Sequence, residues 1–259
     1  MQSIRELYKI GNGPSSSHTM GPKRAVLLFK EKYTEADRFE VYLYGSLALT
    51  GKGHLTDAVI KDVLSEYKVN IIFDTKTECT VHPNTMDIIA YKGENELGKW
   101  RVYSIGGGTI QIEGEEKANI PDIYPHTTLN SIKLYCDEKR IQLQDYVYEV
   151  EGIEVKEFLK QIWGAMKKSV ENGLKKEGLI PGKLKLERKA KYLYNKEIKN
   201  ETPEFKQNRL LSAYAYSVAE ENASGGVIVT APTCGASGAL PAVLYYLRYE
   251  KGYEEEKKS

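Results

Sequence analysis

From Glu154 to Lys176 the residues Val155, Phe158, Leu159, Ile162, Trp163, Met166, Val170 and Leu174 recur at spacings of three and four, the apolar stripe of an amphipathic helix. The pattern predicts about 23 helical residues, roughly 35 Å in length. Nothing before it reads this way, so the chain divides near residue 150. Residues 1–150 are expected to form an α/β part and residues 151–259 a mostly helical one, an α+β chain overall.

In the first part, Pro22 to Tyr33 is a predicted helix after the loop GNGPSSSHTMG, and Phe39 to Leu47 alternates as a strand. A second helix is predicted over Thr56 to Tyr67, with Thr56 placed to cap its start and Val59, Val63 and Leu64 on one face. Short β-rich runs follow at 69–73, 87–93 and 100–107. In the second part Gly178, Pro181 and Gly182 break the long helix, and further helices are predicted over Glu204 to Asn222 and Ala236 to Tyr253. Their apolar faces call for covering, so a sizeable exposed patch is expected. The charged run EKGYEEEKKS reads as a solvated tail or an interrupted loop.

Composition narrows the functional classes. With 41% apolar and 28% charged residues, and no apolar run near the ~18 residues that span a bilayer, a soluble protein with no membrane segment is expected. MQSIRELYKI lacks the apolar core of a secretory signal, which argues for the cytoplasm. Basic and acidic residues number 37 and 36 and are mixed along the chain, leaving no basic field for nucleic acid. Cys79, Cys136 and Cys234 match neither a zinc ribbon nor a ferredoxin-type run, so no metal site is assigned within this chain.

Four loops could carry chemistry. Ser15, Ser16, Ser17, His18 and Thr19 gather hydroxyls and an imidazole ahead of a helix, which suits a carboxylate or serves as a polar cap. Gly51-Lys52-Gly53-His54-Leu55-Thr56-Asp57 offers a histidine in a Gly-flanked turn, free to act as acid or base, or simply a capped turn. Ser104 to Gly108 allows close backbone approach to a ligand or forms a tight hairpin. Ser224 to Gly238 runs from a β-branched strand through Thr233, Cys234, Gly235 and Ala236 to a helix start. Cys234 there reads as a nucleophile or, more simply, as a small buried thiol.

PSSSHTMGP, YGSLALTGKGHLTD, YSIGGG, IWGAMKKSVENGLKKEGLIPGKLKLERKA and SGGVIVTAPTCGASGALPAVL occur in this order. Together they resemble the single-chain bacterial L-serine dehydratases of the iron-sulfur type. The resemblance implies a beta-chain domain followed by a helical alpha-chain catalytic domain. It implies α,β-elimination of L-serine to pyruvate and ammonia, aided by a 4Fe-4S cluster whose open iron acts as Lewis acid on the hydroxyl. Carried over by position, Ser15, Ser16, Ser17 and Thr19 contact substrate, His54, Thr56 and His18 serve catalysis with His54 the favoured acid/base, and Thr233, Gly235 and Ala236 form the substrate-side loop of the helical domain. His82 and His126 fall outside the motifs.

The family's cluster cysteines lie further along than Ser259, so the resemblance implies an incomplete alpha-chain domain. A homo-oligomer or a C-terminal partner chain is then expected. Two alternatives stand beside it: a pyridoxal-phosphate dehydratase, for which no lysine has a convincing Ser-x-x-Lys context, and an inactive L-serine-binding module.

Overall fold

β-branched and aromatic residues concentrate between residues 38 and 112, and there they build a sheet. The computed structural model describes residues 1–116, 120–182 and 184–253. It opens with strand β1 (Ile10–Asn12), then a π-helical turn at Ser16–Met20 that runs into α1 (Gly21–Lys32). Pro22 stands in the first turn of α1, where a missing N–H breaks no helical bond. β2 (Arg38–Tyr44), α2 (Gly45–Thr50), α3 (Thr56–Val63), β3 (Lys68–Asp74), β4 (Thr85–Lys92), β5 (Asn95–Gly106) and β6 (Thr109–Ile112) follow.

These last five strands lie in the order β3-β2-β4-β5-β6. Only β2 and β3 are parallel, and α2 and α3 make the crossover that parallel strands require. Phe39, Val41 and Leu43 alternate onto the core face of β2, where they meet Val26 and Phe29 of α1 and Ile60 of α3. Each such side chain, wholly removed from water, contributes about 1.5–3 kcal/mol.

Two predicted boundaries move. The strand expected to reach Leu47 stops at Tyr44, because Gly45 takes φ +49°, and any Cβ there would lie 2.5 Å from the Pro83 carbonyl oxygen. The chain turns instead into α2, a helix the alternation concealed. The helix expected to reach Tyr67 ends at Val63.

Residues 129–151 hold two helices that apolar periodicity does not announce, α4 (Leu129–Lys139) and α5 (Leu143–Glu151). A reciprocal cap between Thr128 and Ser131 starts the first. Tyr124, Ile132, Cys136 and Tyr146 form their small shared core.

The long predicted helix is α6 (Val155–Lys175), followed by α7 (Ala190–Asn195), α8 (Pro203–Ala223), strand β7 (Val227–Val229) and α9 (Ala239–Tyr249). Val170, Leu210, Tyr214, Val218, Ala242 and Tyr246 make the helical core. Gly173 lets α6 approach α8 closely, since a Cβ would meet the Ser217 carbonyl oxygen at 2.2 Å. α9 is shorter than expected at both ends. This part is not wholly helical either: β7 pairs antiparallel with β1, Ile10 opposite Val229 and Asn12 opposite Val227. Val243, Leu244, Leu247 and Tyr249 of α9 and Phe205 and Tyr216 of α8 are exposed apolar or aromatic residues. Most of the charged tail, 254–259, lies outside the described residues. Among the described residues no helix is long and apolar enough to cross a membrane.

Candidate active site

The π turn is wider than an α turn because the Ser15 carbonyl accepts from both Thr19 N and Met20 N, while Ser15 Oγ accepts from His18 N at 3.1 Å. Such turns concentrate at functional sites. Ser15 is thereby spent largely on holding the loop. Among the described residues the Ser16 hydroxyl makes no hydrogen bond to protein, and Ser17 Oγ lies 2.9 Å from His18 Nδ1.

A reciprocal brace joins this turn to the second loop. Thr19 Oγ1 donates to the His54 carbonyl and Thr56 Oγ1 to the His18 carbonyl, each at 2.6 Å. Both threonines are fully buried. One expectation changes: Thr56 does not cap α3, whose N-cap position is Leu55 with no side-chain cap. Each hydroxyl holds the backbone of the other loop's histidine. Leu55, just beyond His54, sits in the left-handed region at φ +58°, a strained conformation for a branched side chain.

The brace brings the two imidazoles to 4.6 Å between centroids, tilted by 36°. His54 Nδ1 lies 3.0 Å from the Thr50 carbonyl oxygen. A carbonyl only accepts, so Nδ1 carries the hydrogen, and neutral His54 has its lone pair on Nε2. Both His18 nitrogens face hydroxyls, Ser17 at Nδ1 and Ser46 at Nε2, each at 2.9 Å. Burial, and then the neighbouring His54, hold the His18 pKa below the ordinary histidine value.

The third and fourth loops both contact the π turn. Ser104 Oγ donates to the Ser17 carbonyl at 2.7 Å, and Gly106, Gly107 and Gly108, all at positive φ, make the β5–β6 turn. Thr233, Gly235 and Ala236 lie exposed in the turns after β7, with Ala236 N 3.4 Å from Thr233 Oγ1. Between them Cys234 is buried, its Sγ 3.8 Å from Met20 Sδ at the end of the π turn. Burial pushes its thiol up to about 11, which leaves little thiolate near neutrality and supports the buried-thiol reading. Gly13 N donates to the Gly226 carbonyl and Asn12 Nδ2 to the Gly225 carbonyl, so the N-terminal loop is fastened to the fourth motif.

Ser46 and Thr50 were not singled out by sequence, although they stand four apart inside YGSLALTGKGHLTD. Reading residues 45–47 as strand hid the helical spacing that pairs them. His82 and His126 lie elsewhere, beside Tyr103 and against Tyr135 and Tyr146 respectively.

The cysteines do not converge. Cys79 is in the β3–β4 connection, Cys136 in the α4–α5 core and Cys234 beside Met20. Among the described residues no group of three or more His, Cys, Asp or Glu could hold a metal ion.

Comparisons with known proteins show the family of the chain. Residues 3–65 match the serine dehydratase beta-chain family and residues 58–259 the serine dehydratase alpha-chain family. The L-serine dehydratase of Haemophilus influenzae is 34% identical over 306 aligned positions, covering 97% of this chain and 67% of the relative. L-serine dehydratase 2 of Escherichia coli is 32% identical, covering 98% and 67%. The L-serine dehydratase of Helicobacter pylori is 32% identical, covering 95% and 66%. This chain thus spans about two thirds of their length, and 306 aligned positions exceed its 259 residues, so the Haemophilus relative carries internal segments without counterpart here. With the beta-chain match spanning the His18 and His54 loops and the alpha-chain match the rest of the chain, the chain belongs to the serine dehydratase family.

Proposed function

We propose that this chain is an L-serine ammonia-lyase of the cytoplasm, removing the Cα proton of L-serine with His54. The observation that carries the proposal is the His54 ring: its Nδ1 is committed to the Thr50 carbonyl, and among the described residues its Nε2 has no protein partner. His18 has hydroxyls at both nitrogens and is the poorer base. Ser16 and Ser17 supply hydroxyl donors for the substrate carboxylate, and Thr233, Gly235 and Ala236 form the opposite wall. Thr19 and Thr56 act through the backbone they brace.

In the elimination, Nε2 takes the Cα proton and the Cα–H electron pair forms the Cα–Cβ double bond as the β-oxygen departs. Loss of water from L-serine leaves aminoacrylate, which tautomerises and hydrolyses to pyruvate and ammonia. The family resemblance brings with it a 4Fe-4S cluster at the departing oxygen, but the three dispersed thiols do not fit such a group. Its thiolates are proposed to lie outside these 259 residues, and the assembled enzyme is proposed to be a homo-oligomer or a complex with a C-terminal partner chain.

A second reading, an L-serine-binding chain without turnover, is favoured by those same thiols. Anaerobic pyruvate assays and calorimetry with L-serine separate the two. Turnover that His54→Ala abolishes supports the lyase, binding without turnover supports the second reading, and neither binding nor turnover sinks both.

A further inference from the structure

We propose that Ser46 is a positioning residue for the histidine pair, its hydroxyl accepting from His18 Nε2–H and so fixing the plane and tautomer of that ring beside His54. Ser46 is the second residue of α2 and its backbone is held at two points. Its N–H donates to the Pro83 carbonyl at 2.8 Å, and its own carbonyl accepts from Thr50 Oγ1 at 2.8 Å. A neutral imidazole has one donor and one acceptor nitrogen. The proposed roles, Ser17 donating to Nδ1 and Ser46 accepting from Nε2–H, satisfy both.

Four residues on, the Thr50 carbonyl accepts from His54 Nδ1–H. In that arrangement one short helix holds two rings 4.6 Å apart in opposite tautomers, and the uncommitted Nε2 belongs to His54. The groups facing His18 are His54 from the turn after α2, Ser15 and Ser17 from its own turn, Ser46 from α2 and Thr56 from α3. Of these only His54 carries a titratable side chain. The catalytic consequence rests on reading His54 as the base; the ring geometry does not.

The test uses the full chain labelled with nitrogen-15 histidine, which has only four histidines to resolve. Wild-type His18 should show one tautomer, with hydrogen on Nε2. Ser46→Ala should give a tautomer mixture and shift the His18 ring signals, because the ring loses the hydroxyl that holds its plane. His82 and His126 should not move. Ser46→Thr, which keeps the hydroxyl, should restore the wild-type signals, and Ser46→Cys provides a variant of similar size if the alanine form does not fold. In pyruvate assays Ser46→Ala should lower kcat roughly tenfold with KM nearly unchanged. Wild-type His18 signals in a folded Ser46→Ala protein, or no recovery in Ser46→Thr, would overturn the proposal. Absence of pyruvate from every form would remove the lyase reading while the nitrogen signals still decide the role of Ser46.

Discussion

His54 and His18 share a motif-level description, a histidine in a loop before a helix, yet their surroundings set them different tasks. If His54 Nε2 moves the substrate proton, His54→Ala lowers kcat at least about 100-fold while L-serine binding by calorimetry survives. Near-normal turnover would take the residue out of the mechanism. The two hydroxyls of the loop should also part company. Among the described residues the Ser16 hydroxyl has no protein partner, so Ser16→Ala raises KM for L-serine with little change in kcat, whereas Ser17→Ala, which also strips His18 Nδ1 of its nearer partner, lowers kcat as well. Steady-state kinetics of the two variants distinguish them, and identical profiles would contradict the assignment. The residue types and their loops were legible in the sequence. What was not legible is the crossing of Thr19 and Thr56, because a hydroxyl that binds a backbone carbonyl 35 or more residues away leaves no local pattern.

At the scale of elements, long periodic segments announced themselves and short ones did not. α6 and α8 were foreseen because many apolar residues repeat the same period. α2 spans six residues, too few for a period, and its residues merged with the alternation of β2. The sheet itself depends on a pair that composition could not locate. Asp87 of β4 is almost wholly buried and receives Arg101 Nε and Nη2 at 2.7 and 2.8 Å, Lys99 Nζ at 3.0 Å and the Tyr44 hydroxyl. Burial opposes its ionisation, but the hydrogen bonds from Arg101 and Lys99 outweigh it and hold the carboxyl below the usual aspartate value. A depressed native pKa means that the unfolded chain binds the proton more readily, so this stabilisation is complete above about pH 4 and is lost as pH falls through the native value. Asp87→Ala should cost about 2 kcal/mol near neutrality, less than a wholly buried pair because Arg101 and Lys99 reach solvent. Urea melts at pH 7 and pH 3 should show the difference between wild type and variant shrinking at the lower pH.

For the whole molecule, fold class was readable because two halves of different periodicity require different packing. The join between them was not readable, since three residues of β1 carry no strand signal of their own and pair only because β7 is there. The scattered thiols make a prediction at this scale. Reconstituted anaerobically with iron and sulfide, the chain alone should bind no stoichiometric cluster, and iron and sulfide analysis with visible absorption checks it. A 4Fe-4S band at one cluster per chain would show that the cysteines can be gathered after all. The β1–β7 pairing has a further consequence in time. The strands of the five-stranded sheet all lie within residues 38–112 and can associate early in synthesis, but the ladder beneath the hydroxyl loop needs residues 227–229. Contacts this distant along the chain form late, after closer ones have reduced the cost of loop closure. A ribosome carrying the first 200 residues is therefore expected to bear a folded sheet and an unfastened hydroxyl turn, because the residues that pair with β1 have yet to be made.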